Sequence, residues 1–194
     1  MTPDARSKAD TDRFEIVFVC TGNRARSAFA EAVLRRRVLP AQASVRSVGT
    51  QDTGGMPVLP QAARAAADFG VDLSDHRARV LVPGSLATAD LVIGFEPQHL
   101  AAAVIEAKAP LERVFSIVEL AELLDRLEGD EPLEPAEALE RAHGRRRASD
   151  LLSTQAIADP LGGSDRVFRR TFETIDRLVE RIARRLFEGA PTAR

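Results

Sequence analysis

Short apolar runs alternate along the chain with stretches in which apolar residues recur every three or four positions. FEIVFV is followed by SAFAEAVLRRRV, SVRSVG by PQAARAAADFG, and DLVIGF by PQHLAAAVIEAK, before a last short run, RVFSI. Runs of about five residues between helical patterns of about ten are typical of βαβ units. The pattern therefore predicts a single α/β domain, with a mostly parallel central sheet of about four strands and helices on both faces.

Three segments depart from this alternation. The polar start, 1–13, is predicted to be a disordered amino-terminal tail, so the domain is expected over 14–190. The segment 128–148 is rich in charge and proline, which indicates an exposed excursion that contains a short helix. Its GRRR cluster, Gly144 to Arg147, is interpreted as a solvated helix face. Near the end, a pattern of helical spacing predicts a helix packed on the sheet through Val167, Phe168, Phe172, Ile175, Leu178, Val179, Ile182 and Leu186.

Composition narrows the class of protein. With 44% hydrophobic and 29% charged residues in 194, the chain is expected to form one soluble globular domain. No apolar run approaches the ~18 residues of a membrane span. The polar start lacks the core of a secretory signal and the single cysteine cannot form an internal disulfide, so we expect a cytoplasmic protein. A net charge of -2 favours neither nucleic acid nor membrane as a partner, and no feature of the sequence favours an oligomeric state.

The only cysteine, Cys20, stands between the first strand and the first helix, in CTGNRARS. Ligands of parallel α/β sheets gather beyond the carboxyl ends of the strands, where the turn into a helix points its backbone N–H groups. Gly22 and Asn23 tolerate left-handed backbone geometry, and Arg26 offers a planar fork of donors to phosphate oxygens. The same amides favour a thiolate at Cys20. The sequence predicts a phosphate loop with a nucleophilic cysteine, against the alternative of an inert buried thiol.

At this point the sequence resembles the low-molecular-weight protein-tyrosine phosphatase family. VFVCTGNRARSAFAEAVLRRR is similar to the family's amino-terminal phosphate loop, and the likeness continues through SVGT, LPQAARAAADFGVDLSDHRAR and ADLVIGF. ADPLGGSDRVFRRTF resembles the acid-bearing loop and the final helix. The resemblance covers most of the chain from Phe14 onward, with a longer interval before Asp159 than in the shorter members.

The resemblance implies a role for each matching residue. Cys20 attacks phosphorus to give a phosphocysteine intermediate, and Asp159 protonates the leaving group and then activates water. Arg26 and the loop amides hold the phosphate oxygens. Ser27 donates to the sulfur, and His76 supports Asn23 from behind. The implied phosphate-binding set is Thr21, Gly22, Asn23, Arg24, Ala25 and Arg26. No cofactor or metal is implied, and no partner is predicted for His99 or His143.

The residues around this predicted site point to different substrates. Tyrosine-directed members tend to place aromatic residues after the Asp-Pro pair, whereas this chain has Leu161, Gly162 and Gly163 and contains no tyrosine or tryptophan. The glycine pair and Ser164 resemble the bacterial branch that includes protein-arginine phosphatases. That branch has a small threonine at the position of Arg24, and a guanidinium at the rim of the pocket would repel phosphoarginine.

We therefore expect a phosphorylated protein, carrying phosphotyrosine, or a small aryl phosphate as substrate. Three alternatives stay open: a protein-arginine phosphatase, an arsenate reductase that uses an external thiol, and a non-catalytic phosphate-binding regulator. Ala25 stands where many relatives of this fold keep a second cysteine, so an arsenate reductase that relays oxidation through its own thiols is disfavoured.

Overall fold

The computed structural model describes residues 13–127, 133–146 and 156–187. Its centre is a four-stranded sheet in the order β2-β1-β3-β4, in which all neighbours are parallel. The strands are β1 Phe14–Cys20, β2 Ala43–Gly49, β3 Leu91–Gly94 and β4 Val114–Ser116. The predicted α/β architecture is confirmed.

Six α-helices occur in the described part of the chain. A short 3-10 helix, Leu111–Arg113, precedes β4. The α-helices are α1 Arg26–Arg35, α2 Pro60–Ala67, α3 Pro97–Ile105, α4 Ile117–Asp125, α5 Pro135–Gly144 and α6 Asp165–Phe187.

The alternation of side chains along β1 explains why both faces of the sheet are covered. Ile16 and Phe18 point into a core shared with α1, α4 and α6. Val17 and Val19 point to the opposite face, which is covered by α3 and the segment around Leu86. All four strand residues are fully buried, so β1 is a nearly continuous apolar run rather than an alternating one.

Helix α6 packs mainly across α1, α2 and α4. Phe172 stacks on Phe29 of α1 with ring centroids 4.1 Å apart, and Phe187 meets Phe14 of β1 edge to face. The predicted apolar face is buried with one exception, Val167, which is 43% exposed because it lies in the first turn, outside the helix contacts. α6 therefore packs mainly on the helices that cover the sheet, shares one core with the strands and contacts β1 directly through the Phe187–Phe14 pair.

The segment 128–148 is described only in part, since 128–132 and 147–148 lie outside the described residues, as does 1–12. Within it, α5 buries Ala138, Leu139 and Ala142 in the core. The prediction of an exposed segment is therefore wrong for this face of α5.

Arg146 corrects the interpretation of the GRRR cluster as a solvated face. Its guanidinium lies 4.1 Å from the centroid of the Phe115 ring, and its Nη2 donates to the carbonyl of Val114 at 2.7 Å. Its Nε lies 2.7 Å from a carboxylate oxygen of Glu119, and its side chain is only 5% exposed. β4 is the edge strand of the sheet, so its outer carbonyl has no neighbouring strand and Arg146 binds it instead.

None of the helices formed by residues 13–127, 133–146 and 156–187 combines the length and the apolar character that crossing a membrane requires.

Candidate active site

The sheet order creates a crevice at the carboxyl end of β1, because β2 lies on one side of β1 and β3 on the other. The phosphate loop, which we define as Cys20–Ser27, leaves β1 at this point and enters α1. Asn23 has a φ of 52°, and this left-handed residue turns its own N–H back to donate to the sulfur of Cys20 at 3.3 Å. Cys20 is 3% exposed, so its sulfur lies at the base of the curled loop.

The loop lies directly against the end of β2. A Cβ atom at Gly49 would stand 2.8 Å from the carbonyl oxygen of Thr21 and 2.9 Å from the nitrogen of Asn23. Both are backbone atoms that cannot move aside, so only glycine fits here. The contact is extended by the N–H of Gln51, which donates to the same Thr21 carbonyl at 2.9 Å.

The side chain of Asn23 is fully buried and its polar atoms are all bonded. Its amide nitrogen donates to Ser27 Oγ at 2.8 Å and to Ser47 Oγ at 2.7 Å, and its amide oxygen accepts from the backbone N–H of Arg79 at 2.8 Å. These bonds offset the cost of a left-handed residue that is not glycine.

His76 lies behind the loop, with its Nε2 2.8 Å from the backbone carbonyl oxygen of Asn23. Because a carbonyl oxygen only accepts, Nε2 carries the hydrogen. Burial lowers the pKa of His76 below its usual value, although the bond with Asn23 opposes the shift. The neutral ring is therefore a fixed donor to the loop at neutral pH.

Glu31 completes the support, and sequence reasoning missed it. Its carboxylate accepts from Ser47 Oγ at 2.5 Å and from the guanidinium of Arg79 at 2.6 Å, and it also pairs with Arg35 at 2.9 Å. A charged residue on the buried face of an otherwise apolar helix was the signal, since buried carboxylates require partners.

Arg26 begins α1 and is 1% exposed. One terminal nitrogen, Nη2, donates to a carboxylate oxygen of Asp159 at 2.5 Å. The other, Nη1, donates to the carbonyl of Ile157 at 2.8 Å and to the carboxylate of Glu96. The guanidinium is thus held between two carboxylates in front of the loop, with the Phe95 ring centroid 5.9 Å away.

Asp159 reaches the site because its segment is fastened to the end of β3. The N–H of Ile157 donates to the carbonyl of Phe95 at 2.8 Å. One carboxylate oxygen of Asp159 accepts from the N–H of Leu161 at 3.1 Å, which opens the Asp-Pro turn, and the other binds Arg26. The Asp159 side chain is 36% exposed, so it stands at the mouth of the site rather than at its base.

Glu96 and His99 are the functional candidates that sequence reasoning missed in front of the loop. Burial acts to raise the pKa of Glu96, but the hydrogen bond and charge of Arg26 outweigh it and lower the pKa. The prediction that His99 has no partner is wrong: its Nε2 lies 3.0 Å from Thr21 Oγ1, and its Nδ1 accepts from the N–H of Glu96 at 3.1 Å. The available signal was position, since Glu96 nearly follows β3, which borders β1.

Burial and the nearby Arg26 charge lower the pKa of His99 to about 4. The ring is fully buried, so it is neutral at neutral pH. His143, in contrast, lies on α5, with its Nδ1 3.5 Å from a guanidinium nitrogen of Arg146 and away from the loop.

Arg24 is partly exposed and lies along the segment that follows β2. Its Nε donates to the carbonyl of Pro57 at 2.7 Å, and its own carbonyl accepts from Leu59 at 3.0 Å. The guanidinium is therefore held by a backbone carbonyl. Met56 beside it is 48% exposed, and Leu161 in the Asp-Pro turn is 67% exposed.

Ala25 and Gly22 are the remaining residues of the loop. Ala25 is buried immediately before α1, and the carbonyl of Gly22 accepts from Thr53 Oγ1 at 3.4 Å, on the outer side of the loop. Within the described residues, no group of three or more His, Cys, Asp or Glu side chains could hold a metal ion. The site thus combines a cysteine sulfur, a guanidinium and a carboxylate at the carboxyl end of β1.

This combination of fold and site matches one protein family. A family model described as low molecular weight phosphotyrosine protein phosphatase matches residues 15–143. The chain belongs to this family. The low molecular weight protein-tyrosine-phosphatase Etp of Escherichia coli K12 is 38% identical over 86 residues, which are 44% of this chain and 57% of that relative. The chain spans about half the length of the first curated relatives it matches.

Two further relatives match over greater lengths. The protein-arginine-phosphatase of Geobacillus stearothermophilus is 25% identical over 173 residues, which are 89% of this chain and 96% of that relative. The crystal structure of the low molecular weight protein tyrosine phosphatase from T. tengcongensis superposes with a TM-score of 0.64 at 26% identity, covering 87% of this chain and 97% of that one. The bacterial branch of the family therefore includes relatives named as tyrosine phosphatases and relatives named as arginine phosphatases.

Proposed function

We propose that the protein is a cysteine-dependent phosphatase that hydrolyses protein phosphotyrosine or a related phosphomonoester through a phosphocysteine intermediate. The observation that carries the proposal is that Asp159, distant in sequence, meets Arg26 of the loop that holds Cys20. The Asn23 N–H points at the Cys20 sulfur from 3.3 Å, and Arg26 binds Asp159 at 2.5 Å in front of the same loop.

In the first step, the Cys20 sulfur attacks phosphorus, the S–P bond forms and the bond to the leaving oxygen breaks. The amides of Thr21 to Arg26 and the Arg26 guanidinium hold the three equatorial oxygens, on which negative charge is concentrated. Asp159 stands at the mouth of the site, where the leaving oxygen departs, and delivers its proton to that oxygen.

In the second step, the Asp159 carboxylate takes a proton from water as the water attacks phosphorus, and the S–P bond breaks. Ser27 Oγ lies 2.9 Å from the Cys20 sulfur. Because Asn23 donates to Ser27 Oγ, the hydroxyl hydrogen of Ser27 is available to the sulfur. That hydrogen bond stabilises the departing thiolate.

Phosphotyrosine or another aryl phosphate is the substrate we favour. The Arg24 guanidinium lies along the Pro57 side of the loop, two residues before Arg26, where a second positive charge attracts anions and opposes the cationic group of phosphoarginine. We further propose that the phosphatase domain extends over 14–190. We also propose a cytoplasmic location, because a single cysteine without an internal disulfide partner is typical of proteins in a reducing compartment.

A protein-arginine phosphatase is the second candidate. It is favoured by the Leu161-Gly162-Gly163 turn, which offers no aromatic ring for stacking, and by the match along 89% of the chain to a protein of that name. An arsenate reductase would need an external thiol, because Cys20 is the only cysteine. A phosphate-binding regulator would not require the acid Asp159 beside the guanidinium.

Turnover of an aryl phosphate, a phosphotyrosine peptide, phosphoarginine and arsenate by the wild-type protein tests the proposal. We expect the fastest hydrolysis with the aryl phosphate and the phosphotyrosine peptide, and no activity in Cys20→Ser, which should still bind vanadate. Equal turnover by Cys20→Ser would exclude the phosphocysteine mechanism. Faster hydrolysis of phosphoarginine would favour a protein-arginine phosphatase. Reduction of arsenate in the presence of an added thiol would favour an arsenate reductase.

A further inference from the structure

His99 is held in a single tautomer by the start of α3. The backbone N–H of Glu96 donates to Nδ1, so this nitrogen carries no hydrogen. The ring is neutral at neutral pH, and its one hydrogen is therefore on Nε2. Since Nε2 lies 3.0 Å from Thr21 Oγ1, His99 donates and the threonine hydroxyl accepts.

The hydroxyl of Thr21 accepts from a second donor as well. Arg26 Nη2, which has no acceptor capacity, lies 3.4 Å from Thr21 Oγ1. Both neighbours of this oxygen thus supply hydrogens, which leaves the threonine's own hydrogen unused. In the described part of the chain no protein acceptor for it is found. The hydroxyl lies next to the same Arg26 nitrogen that binds Asp159, in front of the loop.

We propose that the Thr21 hydroxyl is a side-chain donor to an oxygen of the phosphoryl group held in the loop, and that His99 is the positioning residue that orients it. The inference rests on the proposed phosphatase function and adds a neutral donor to the backbone amides and Arg26. A hydroxyl whose lone pairs are already occupied by donors is preorganised to donate, so it needs no reorientation when the anion arrives.

Thr21→Val and Thr21→Ser test the donor itself. Valine has nearly the shape of threonine without its hydroxyl, and serine keeps the hydroxyl. A hydrogen bond to a charged oxygen corresponds to about 10- to 100-fold in affinity. We expect Thr21→Val to weaken vanadate binding about tenfold and to lower kcat/KM for an aryl phosphate, and Thr21→Ser to remain within about threefold of wild type. Wild-type affinity in Thr21→Val, or equal losses in both variants, would overturn the proposal.

His99→Gln and His99→Leu test the positioning role. A glutamine amide can place its nitrogen near the position of Nε2 and keep the donor to Thr21, whereas leucine removes it. We expect His99→Leu to weaken vanadate binding about as much as Thr21→Val, and His99→Gln to restore much of the loss. His143→Gln on α5 is the matched control, since it changes a histidine that does not contact the loop.

A double mutant separates positioning from general damage. If His99 acts through the hydroxyl, His99→Leu should weaken vanadate binding no further in a Thr21→Val background. An undiminished additional loss would show that His99 does not act through Thr21 and would overturn the proposal.

The tautomer of His99 can be measured independently of enzyme activity. In ¹⁵N-labelled wild-type protein, the imidazole nitrogens of His99 should show Nε2 protonated and Nδ1 unprotonated from pH 5 to 8, with Arg26, Glu96 and Asp159 as the charged groups that face the ring. A hydrogen on Nδ1 would overturn the inference.

Failure of the phosphatase proposal would look different. The wild-type protein would then turn over no phosphate ester, while the vanadate-binding and tautomer measurements would still report on Thr21 and His99.

Discussion

The two sides of the phosphate loop are built differently. Behind it lies a rear network formed by Asn23, Ser27, Glu31, Ser47, His76 and Arg79, whose central members are buried and mutually bonded. In front lies a rim formed by Arg24, Met56, Asp159 and Leu161, which are partly or largely exposed and make few bonds to one another. The rear network holds the shape of the loop, whereas the front rim borders its open side.

Asp159→Asn tests the front rim at its most reactive group. General-acid catalysis contributes roughly 100- to 10,000-fold, and a leaving group that is already stable needs little of it. We expect a large loss of kcat with phenyl phosphate and a small one with an aryl phosphate whose phenol is strongly acidic. Equal losses on both substrates would transfer the acid role to another group, such as Glu96, the other carboxylate that binds Arg26.

Asn23→Ala breaks the rear network. It removes three hydrogen bonds, leaves the backbone N–H of Arg79 without its acceptor and takes one of two partners from the buried Ser47 hydroxyl, in addition to placing alanine at a φ of 52°. Each lost hydrogen bond costs about 1 kcal/mol, so we expect a loss of roughly 3 kcal/mol in the free energy of unfolding and little remaining activity. Leu161→Ala in the front rim is the control, with an expected change of less than about 0.5 kcal/mol. Urea denaturation checks both, and similar stability losses would contradict the division into two sides.

Mild acid should lower the stability of the folded protein through protonation of His99. The folded protein resists protonating this ring until the pH falls to about 4, whereas the unfolded chain takes up the proton near pH 6.5. Stability is therefore lost as the pH falls from 6.5 to 4, by about 3 kcal/mol from this group. Comparing urea denaturation of wild type and His99→Gln at pH 7 and pH 4.5 isolates this contribution. An identical pH dependence in the two proteins would disprove it.

Arg24→Thr should have the smallest effect, because it changes preference rather than chemistry. Like charges ~4 to 6 Å apart at a partly wet rim interact by roughly 1 to 4 kcal/mol. We expect the ratio of kcat/KM for phosphoarginine to that for phosphotyrosine to rise about tenfold or more. Steady-state kinetics on both substrates measure the ratio. If it is unchanged or falls, the Arg24 side chain on the Pro57 carbonyl is too far from the substrate to select it.

The fold and the loop were accessible from the sequence because both depend on local patterns. The alternation of runs identifies the strands and helices, and a cysteine followed by Gly22 and Asn23 between a strand and a helix indicates the phosphate loop. The expected positions of Asp159 and His76 came from resemblance, since nothing local distinguishes an Asp-Pro turn or a lone histidine.

The features that the sequence did not reveal are side-chain contacts between distant segments of the chain. Glu96 and His99 become part of the site only because β3 lies next to β1, and their bonds to Arg26 and Thr21 carry no periodic signal. The interpretation of the GRRR cluster as a solvated face was wrong for Arg146 for a related reason. Consecutive arginines indicate a solvated surface, and the sequence does not show that the Val114 carbonyl and the Phe115 ring lie against one of them.

The glycine at the end of β2 has a consequence for the motions of the loop. Backbone contact at Gly49 and the bonds from Thr50 to Cys20 and from Gln51 to Thr21 leave no room for the loop to lift away from the strands alone. Amide hydrogen exchange at Asn23 should accordingly follow the global unfolding of the central strands rather than a local opening, with protection comparable to that of Phe18. Much faster exchange at Asn23 than at Phe18 would reveal a loop that opens independently of the sheet.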